Sequence, residues 1–168
     1  MLSRRHLLVA ALGALAGLLA SAGSLAQEGK SLVSTRLEVT GLVGRALSLS
    51  VEDLRAVAKR RGVAGAGGYG GILLSELLKE AAIREDERHA LRRTYVVAVA
   101  TDGYQAVFSW GELFNTLVGR SVLVAYERDG APLREGEGRF ALVSLADERV
   151  GPRHVKWLNR IDVRRVPE

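Results

Sequence analysis

The second half of the chain consists largely of short apolar runs separated by turn residues. Residues 95–100 form a continuous apolar run typical of a buried strand, and Asp102-Gly103 predicts a turn that brings residues 104–108 back as a hairpin partner. Further strands are expected at residues 121–127, 139–145 and 155–163. Because long helices do not alternate with these strands, an α+β fold with mixed sheets is expected rather than a doubly wound parallel sheet.

The first half contains one predicted strand and two predicted helices. Residues 35–40 alternate as a strand does, and Ser50 with Asp53 three positions later forms a capping box that opens a helix ending near Arg61. A glycine-rich connection at residues 62–71 leads into a second helix, whose apolar side chains recur at helical spacing (Leu74, Leu77, Leu78 and Ala81). Ser109 and Glu112 predict a further short helix, ending near Gly119.

Residues 1–26 have the features of a secretory signal peptide. Arg4 and Arg5 precede an apolar run at residues 7–20, and small residues lead up to a cleavage site after Ala26. The paired arginines followed by leucines resemble a twin-arginine signal, and a general secretory signal is the alternative. We therefore predict a periplasmic protein with no membrane anchor after cleavage, a flexible segment at residues 27–34 and one folded domain at residues 35–168.

Charge and cysteine content exclude several functional classes. The full chain has 24 basic and 19 acidic residues, and only Arg4 and Arg5 of these lie in the predicted signal peptide. The small remaining excess of positive charge, without a run of like charges, argues against nucleic-acid binding. The sequence has no cysteine, so disulfides, a thiolate nucleophile and thiolate metal ligands are excluded.

Two patterns typical of dinucleotide-binding sites and of histidine-based sites lack the neighbouring sequence features that such sites require. Residues 65–70 match G-x-G-x-x-G, but a predicted helix precedes them where dinucleotide binding requires a strand. Only His89 and His154 follow the predicted signal peptide, and no G-x-S-x-G turn or zinc-binding spacing accompanies them. We therefore assign no catalytic residue and no metal ligand.

The segment G-P-R-H-V-K-W at residues 151–157 brings three potential cations together, namely Arg153, His154 and Lys156. If residues 155–163 form a strand, alternation places His154 and Lys156 on one face with three further charged residues (Arg160, Asp162 and Arg164). Such side chains could coat a solvated strand edge, or they could hold an anion such as phosphate together with backbone amides. The spacing leaves both interpretations open.

Four segments carry a family resemblance: residues 71–78 (GILLSELL), 102–109 (DGYQAVFS), 123–133 (LVAYERDGAPL) and 155–161 (VKWLNRI). In pattern and order they resemble the molybdopterin-binding domain of the sulfite oxidase family. The most specific pieces are A-Y-E-R-D-G-x-P-L at residues 125–133 and V-K-W-L-x-x-I at residues 155–161. The resemblance covers residues 36–166 and implies a mixed α+β fold around a pterin whose phosphate lies against basic residues. By that resemblance the pterin-binding residues are Gly151, Arg153, His154, Lys156 and Thr101.

The sequence departs from the family at the metal ligand. The resemblance implies a molybdenum-binding cysteine between the first helix and the second, and residues 61–69 contain none. Molybdopterin binding is therefore expected from the resemblance, while molybdenum chemistry of the usual kind is not. Two hypotheses remain: a module that binds a small anion, a pterin or a periplasmic protein partner, and an active oxidoreductase on a sulfur-containing substrate with a non-cysteine metal ligand.

Overall fold

The computed structural model describes residues 33–61, 65–86, 88–149 and 151–167, and these form one compact α+β domain. The larger of its two sheets contains β1 (Leu37–Gly41), β2 (Leu47–Leu49), β4 (Thr94–Ala100), β5 (Gln105–Ser109) and β9 (Leu158–Arg165). The strand order in this sheet is β2-β1-β9-β4-β5. The pairing of β1 with β9 is parallel, and the other pairings in this sheet are antiparallel.

The smaller sheet is antiparallel and is built around one central strand. This strand is β6 (Val122–Arg128), which pairs with β3 (Tyr69–Leu73), β7 (Ala131–Pro132) and β8 (Ala141–Ser144). Three helices complete the domain: α1 (Val51–Arg61), α2 (Leu74–Ala81) and α3 (Trp110–Asn115). Short 3₁₀ helices lie at Ala90–Arg93, Val118–Arg120 and Glu135–Glu137.

Local sequence signals explain where two of the helices begin. The Ser50 backbone N–H donates to the Asp53 carboxylate at 3.0 Å and the Asp53 backbone N–H donates to the Ser50 hydroxyl at 3.1 Å, which confirms the predicted capping box of α1. At α3 the Glu112 backbone N–H donates to the Ser109 hydroxyl at 3.0 Å. Each cap satisfies amides that the first helical turn leaves without a partner.

The central strand β6 separates two groups of buried apolar side chains. Val122, Val124 and Tyr126 belong to the main core, which also holds the apolar faces of the helices and of the larger sheet. Leu123 and Ala125 point to the opposite face, because successive side chains of a strand alternate. There they join a smaller cluster with four other residues (Tyr69, Leu133, Ala141 and Val143). The candidate site described below lies on this second face.

The glycine-rich segment was predicted to be a simple connection between two helices. In the structure its second part forms strand β3. Gly71 pairs with Ala125 of β6, and a Cβ on Gly71 would lie 2.2 Å from the Val124 carbonyl oxygen. Glycine is therefore required here for close strand approach rather than for flexibility. The last two residues of the motif at residues 65–70 already belong to β3, so the glycines lead into a strand where dinucleotide binding requires a helix.

Two other predicted boundaries were wrong. Helix α3 ends at Asn115 rather than near Gly119, and Gly119 lies in the separate 3₁₀ helix at Val118–Arg120. Strand β9 begins at Leu158 rather than at Val155, because Trp157 has a φ of 47°, which interrupts an extended strand. Val155, Leu158, Ile161 and Val163 are buried, so a single two-residue alternation does not run through the whole segment.

No helix in the described ranges is both long enough and apolar enough to cross a membrane. The predicted signal peptide at residues 1–26 lies outside the described residues, as does most of the predicted flexible segment at residues 27–34.

Candidate functional site

A cavity of about 540 Å³ opens on the second face of the smaller sheet. We call it the basic cavity, because its lining contains four basic side chains and one acidic side chain. The lining residues are Tyr69, Arg128, Arg134, Gly136, Glu137, Val143, Leu145, His154 and Lys156. They come from the start of β3, the end of β6, the 3₁₀ helix at Glu135–Glu137, the β8 region and the segment that precedes β9.

His154 and Lys156 reach the same cavity because Val155 is fixed between them. The Val155 backbone exchanges two hydrogen bonds of 2.9 Å with Leu142 of β8, and the Val155 side chain is fully buried. In locally extended backbone the neighbours of an inward-facing residue point to the opposite side. The short pairing with β8 therefore brings two of the sequence-predicted binding residues to one surface.

Tyr69 connects the acidic and basic sides of the cavity. Its hydroxyl group donates to Glu137 Oε1 at 3.2 Å and accepts from Arg128 Nη1 at 3.2 Å. The Arg128 guanidinium carbon also lies 4.9 Å from the centre of the Tyr69 ring. Burial, followed by the Glu137 carboxylate, raises the pKa of Tyr69 above its ordinary value. Tyr69 is thus a neutral hydrogen-bond donor at physiological pH.

His154 is a largely buried imidazole beside Glu137. Its Nε2 lies 3.6 Å from Glu137 Oε1 and has no hydrogen-bond partner in the described part of the chain. Burial lowers the pKa of His154 below its ordinary value; Glu137 opposes this shift, whereas Lys156 and Arg128 add to it. The imidazole is therefore mostly neutral near pH 7, and an anion that entered the cavity would favour its protonation.

Arg153 does not line the basic cavity. Its Nε donates to Asp147 Oδ2 at 2.8 Å, and its two terminal nitrogens donate to Asp147 Oδ1 and to Glu112. Its guanidinium carbon lies 4.9 Å from the centre of the Phe108 ring. The two carboxylates use the donors that the sequence analysis had assigned to an anion. Hydrogen bonds donated by Arg153, the largest influence, lower the pKa of Asp147, and donating these bonds to Asp147 raises the pKa of Arg153.

Gly151 and Thr101 take backbone roles next to the same segment. Gly151 is exposed, its φ of 147° favours glycine, and its carbonyl oxygen accepts from the His154 backbone N–H at 2.9 Å. The Thr101 backbone N–H donates to the Trp157 carbonyl oxygen at 3.0 Å. Neither residue lines the basic cavity. The structure thus brings together His154 and Lys156 of the five predicted binding residues, and cofactor contact by all five stays a prediction.

Four polar or charged side chains of the cavity were not predicted as site residues: Tyr69, Arg128, Arg134 and Glu137. Arg128 lies in the A-Y-E-R-D-G-x-P-L segment that carried the resemblance, so its motif was a usable signal. Tyr69 was hidden in the glycine-rich stretch, and Glu137 in an ordinary charged loop. The pairing of β3 with β6 places Tyr69 opposite Arg128, and the backbone hydrogen bond from Trp157 to Glu137 holds the 3₁₀ helix beside the segment that carries His154 and Lys156.

The described residues contain no group of three or more His, Asp or Glu side chains able to hold a metal ion. Arg128, Arg134 and Lys156 would also oppose a free cation in the basic cavity. The arrangement is therefore suited to an anionic organic ligand, with cationic donors on one side and an apolar surface formed by Val143 and Leu145.

Comparison with known proteins agrees with this fold. The crystal structure of the sulfane dehydrogenase SoxCD from Paracoccus pantotrophus is similar, with a TM-score of 0.55 and 23% sequence identity. The match covers 76% of this chain and 37% of that chain, so this chain spans little more than a third of that protein's length. At this identity the likeness shows the fold alone, which is the predicted sulfite-oxidase-type fold.

No curated protein sequence matches the chain. The family model described as the oxidoreductase molybdopterin binding domain matches residues 58–168, which is well over half of the sequence and includes every residue of the basic cavity. The chain therefore belongs to the oxidoreductase molybdopterin-binding domain family of the sulfite oxidase type.

Proposed function

We propose that this protein is an exported module that binds the pterin part of molybdopterin, or a similar anionic pterin, in the basic cavity. We also propose that it does not carry out the oxygen-atom transfer usual for its relatives. The observation that supports binding is the convergence of Arg128, Arg134, His154 and Lys156 on one cavity in a chain of this family. A small anion other than a pterin would use the same cationic groups.

The residues of the basic cavity fit the organic part of the cofactor. Lys156 offers three ammonium donors, and Arg134 offers the planar fork that suits phosphate oxygens. Val143 and Leu145 supply apolar surface for a planar ring. A volume of about 540 Å³ lies within the range usual for small-molecule sites.

The residues do not fit the metal part of the cofactor in the family's usual manner. Bound molybdenum supplies oxygen-atom transfer, and by family resemblance a cysteine thiolate anchors it. This sequence contains no cysteine, and the described residues contain no alternative cluster of metal ligands. These facts support a binding role for this chain rather than a catalytic one.

Export remains part of the proposal. It is supported by Arg4, Arg5 and the apolar run that follows them in the sequence. A periplasmic location would place the domain where it could also meet a protein partner.

The test is the molybdenum and pterin content of the protein purified from the periplasm of a host that makes the cofactor. We expect bound pterin, measured by fluorescence after oxidative release, and less than a tenth of a molybdenum atom per chain, by order of magnitude. The double variant Arg134→Ala/Lys156→Ala should lose the pterin because it removes two cationic contacts. The matched control is Lys59→Ala/Arg92→Ala, which removes two exposed charges outside the cavity and should retain it.

Two results would contradict the proposal. Wild-type protein without pterin would remove the binding function. One molybdenum atom per chain would instead favour the active oxidoreductase with a non-cysteine metal ligand.

A further inference from the structure

Glu137 is a buried carboxylate in a cavity whose other charged side chains are basic. Its side chain is only 9% exposed. The carboxylate accepts a hydrogen bond from Tyr69 at Oε1, while Oε2 has no partner in the described part of the chain. A carboxylate can accept about four hydrogen bonds, and a buried acceptor without a partner is costly. Glu137 thus retains acceptor capacity that the surrounding side chains do not use.

The backbone on both sides of this carboxylate is fixed. The Glu137 backbone N–H donates to the Arg134 carbonyl oxygen at 2.8 Å, and the Glu137 carbonyl oxygen accepts from the Trp157 backbone N–H at 2.8 Å. The next residue, Gly138, packs so closely on Trp157 that a Cβ there would lie 2.9 Å from the Trp157 Cα. These contacts hold the backbone of Glu137 in place at the edge of the basic cavity.

The arginine and lysine side chains of the cavity do not form close ion pairs with the Glu137 carboxylate. Arg128 directs its hydrogen bond to the Tyr69 hydroxyl group instead. Within the described ranges, no arginine or lysine lies at ion-pair distance from Glu137, and the nearest basic group is His154 Nε2 at 3.6 Å. Since the His154 pKa is lowered by burial, that imidazole carries little charge near neutral pH.

We propose that Glu137 determines the specificity of the basic cavity by accepting a hydrogen bond from an amino group on the ring of the ligand. The ligand's anionic group would at the same time lie against Arg134 and Lys156. This inference rests on the proposed function and narrows it to planar heterocycles that carry both a ring amino group and an anionic group. It excludes simple inorganic anions as the preferred ligand.

The proposal predicts that Glu137 strengthens the binding of one kind of ligand and weakens the binding of another. A carboxylate attracts a ligand with a nitrogen donor, because a hydrogen bond to a charged acceptor is stronger than one to a neutral acceptor. The same carboxylate repels inorganic phosphate, which offers negative charge and few donors. A purely structural Glu137 would not produce changes of opposite sign.

The experiment compares wild-type protein with Glu137→Gln, using carboxypterin, a fluorescent pterin with an anionic group, and inorganic phosphate as probes. We expect Glu137→Gln to bind carboxypterin about tenfold more weakly and phosphate about threefold more tightly. The matched control is Glu135→Gln, two positions away on the same 3₁₀ helix but exposed and outside the cavity lining, which should change neither affinity more than about twofold. Thermal unfolding of each variant checks that it is folded.

A second measurement needs no variant. Carboxylumazine, which has a carbonyl oxygen where carboxypterin has its ring amino group, should bind wild-type protein about tenfold more weakly than carboxypterin. Equal binding of the two rings, or unchanged carboxypterin affinity in a folded Glu137→Gln variant, overturns the role of Glu137 and leaves pterin binding intact. Failure of wild-type protein to bind carboxypterin at all contradicts the proposed function itself.

Discussion

Arg153 and Lys156 are three positions apart in the chain, yet their surroundings are opposite. Arg153 donates to Asp147 and Glu112 and lies over Phe108, so its donors are used within the domain. Lys156 makes no hydrogen bond or ion pair in the described part of the chain and lines the basic cavity. The difference indicates that a basic segment alone does not define an anion site. What matters is which cations the fold leaves without carboxylate partners.

The largest effect should come from Arg153→Met, which keeps an apolar side chain over Phe108 but removes the charge. Asp147 and Glu112 then face each other without a shared cation, and we expect a loss of about 2 kcal/mol in the free energy of unfolding. Carboxypterin affinity should change less than about threefold, because Arg153 does not line the cavity. Denaturant unfolding and fluorescence titration measure the two quantities.

The matched control for Arg153→Met is Arg164→Met, whose guanidinium group pairs with Asp162 but is 44% exposed. This variant should lose no more than about 0.5 kcal/mol. If both variants lost the same small amount, the Arg153 cluster would be no more than a surface ion pair.

Lys156→Ala should show the reverse pattern. We expect carboxypterin affinity to fall about tenfold, since a charge-assisted contact to the anionic group is lost. The free energy of unfolding should change by less than about 0.5 kcal/mol, because the side chain is exposed and has no partner to leave behind. A large loss of stability with unchanged affinity would make Lys156 a structural residue and erase the contrast with Arg153.

The smallest effect should be a pH dependence from His154. Because the pKa of His154 is lowered below its ordinary value of about 6.5, its protonation occurs below that pH in the ligand-free protein. A bound anion favours the protonated form, so carboxypterin affinity should rise about fivefold as the pH falls from 8 to 5.5. His154→Gln should flatten this profile, and an unchanged profile would assign the proton to another group.

The lowered pKa of His154 also makes the free energy of unfolding depend on pH, because the unfolded chain has the ordinary pKa. Below about pH 6.5 unfolded His154 binds a proton more readily than folded His154, so the contribution of its neutral form to stability is lost as the pH falls. Tyr69, Arg128, Glu137 and Lys156 surround the imidazole, and only Glu137 opposes this loss.

Local sequence patterns were sufficient for much of the fold. The apolar runs predicted β4 and β6, and the capping residues Ser50 and Ser109 predicted the starts of two helices. Strand β3 was missed because Gly70 and Gly71 resemble a flexible connection. Their role depends on β6, which lies about 50 residues further along the chain, so no local pattern could reveal it.

The site was predictable only in part, for a similar reason. The basic segment drew attention to His154 and Lys156, and both side chains line the basic cavity. It could not show that Arg153 forms ion pairs with Asp147 and Glu112, nor that Glu137 and Tyr69 also line the cavity. Those relations depend on strand pairing between distant segments, whereas sequence spacing reports only on neighbours.

The position of β9 has a consequence for how the protein is made. This strand lies between β1 and β4, and its pairing with β1 joins residues more than 120 positions apart in the chain, such as Glu38 and Arg160. During synthesis the edges of β1 and β4 that face β9 therefore stay unpaired until residue 165 has left the ribosome. A product truncated before residue 158 would expose the inner edges of both strands and be prone to aggregate.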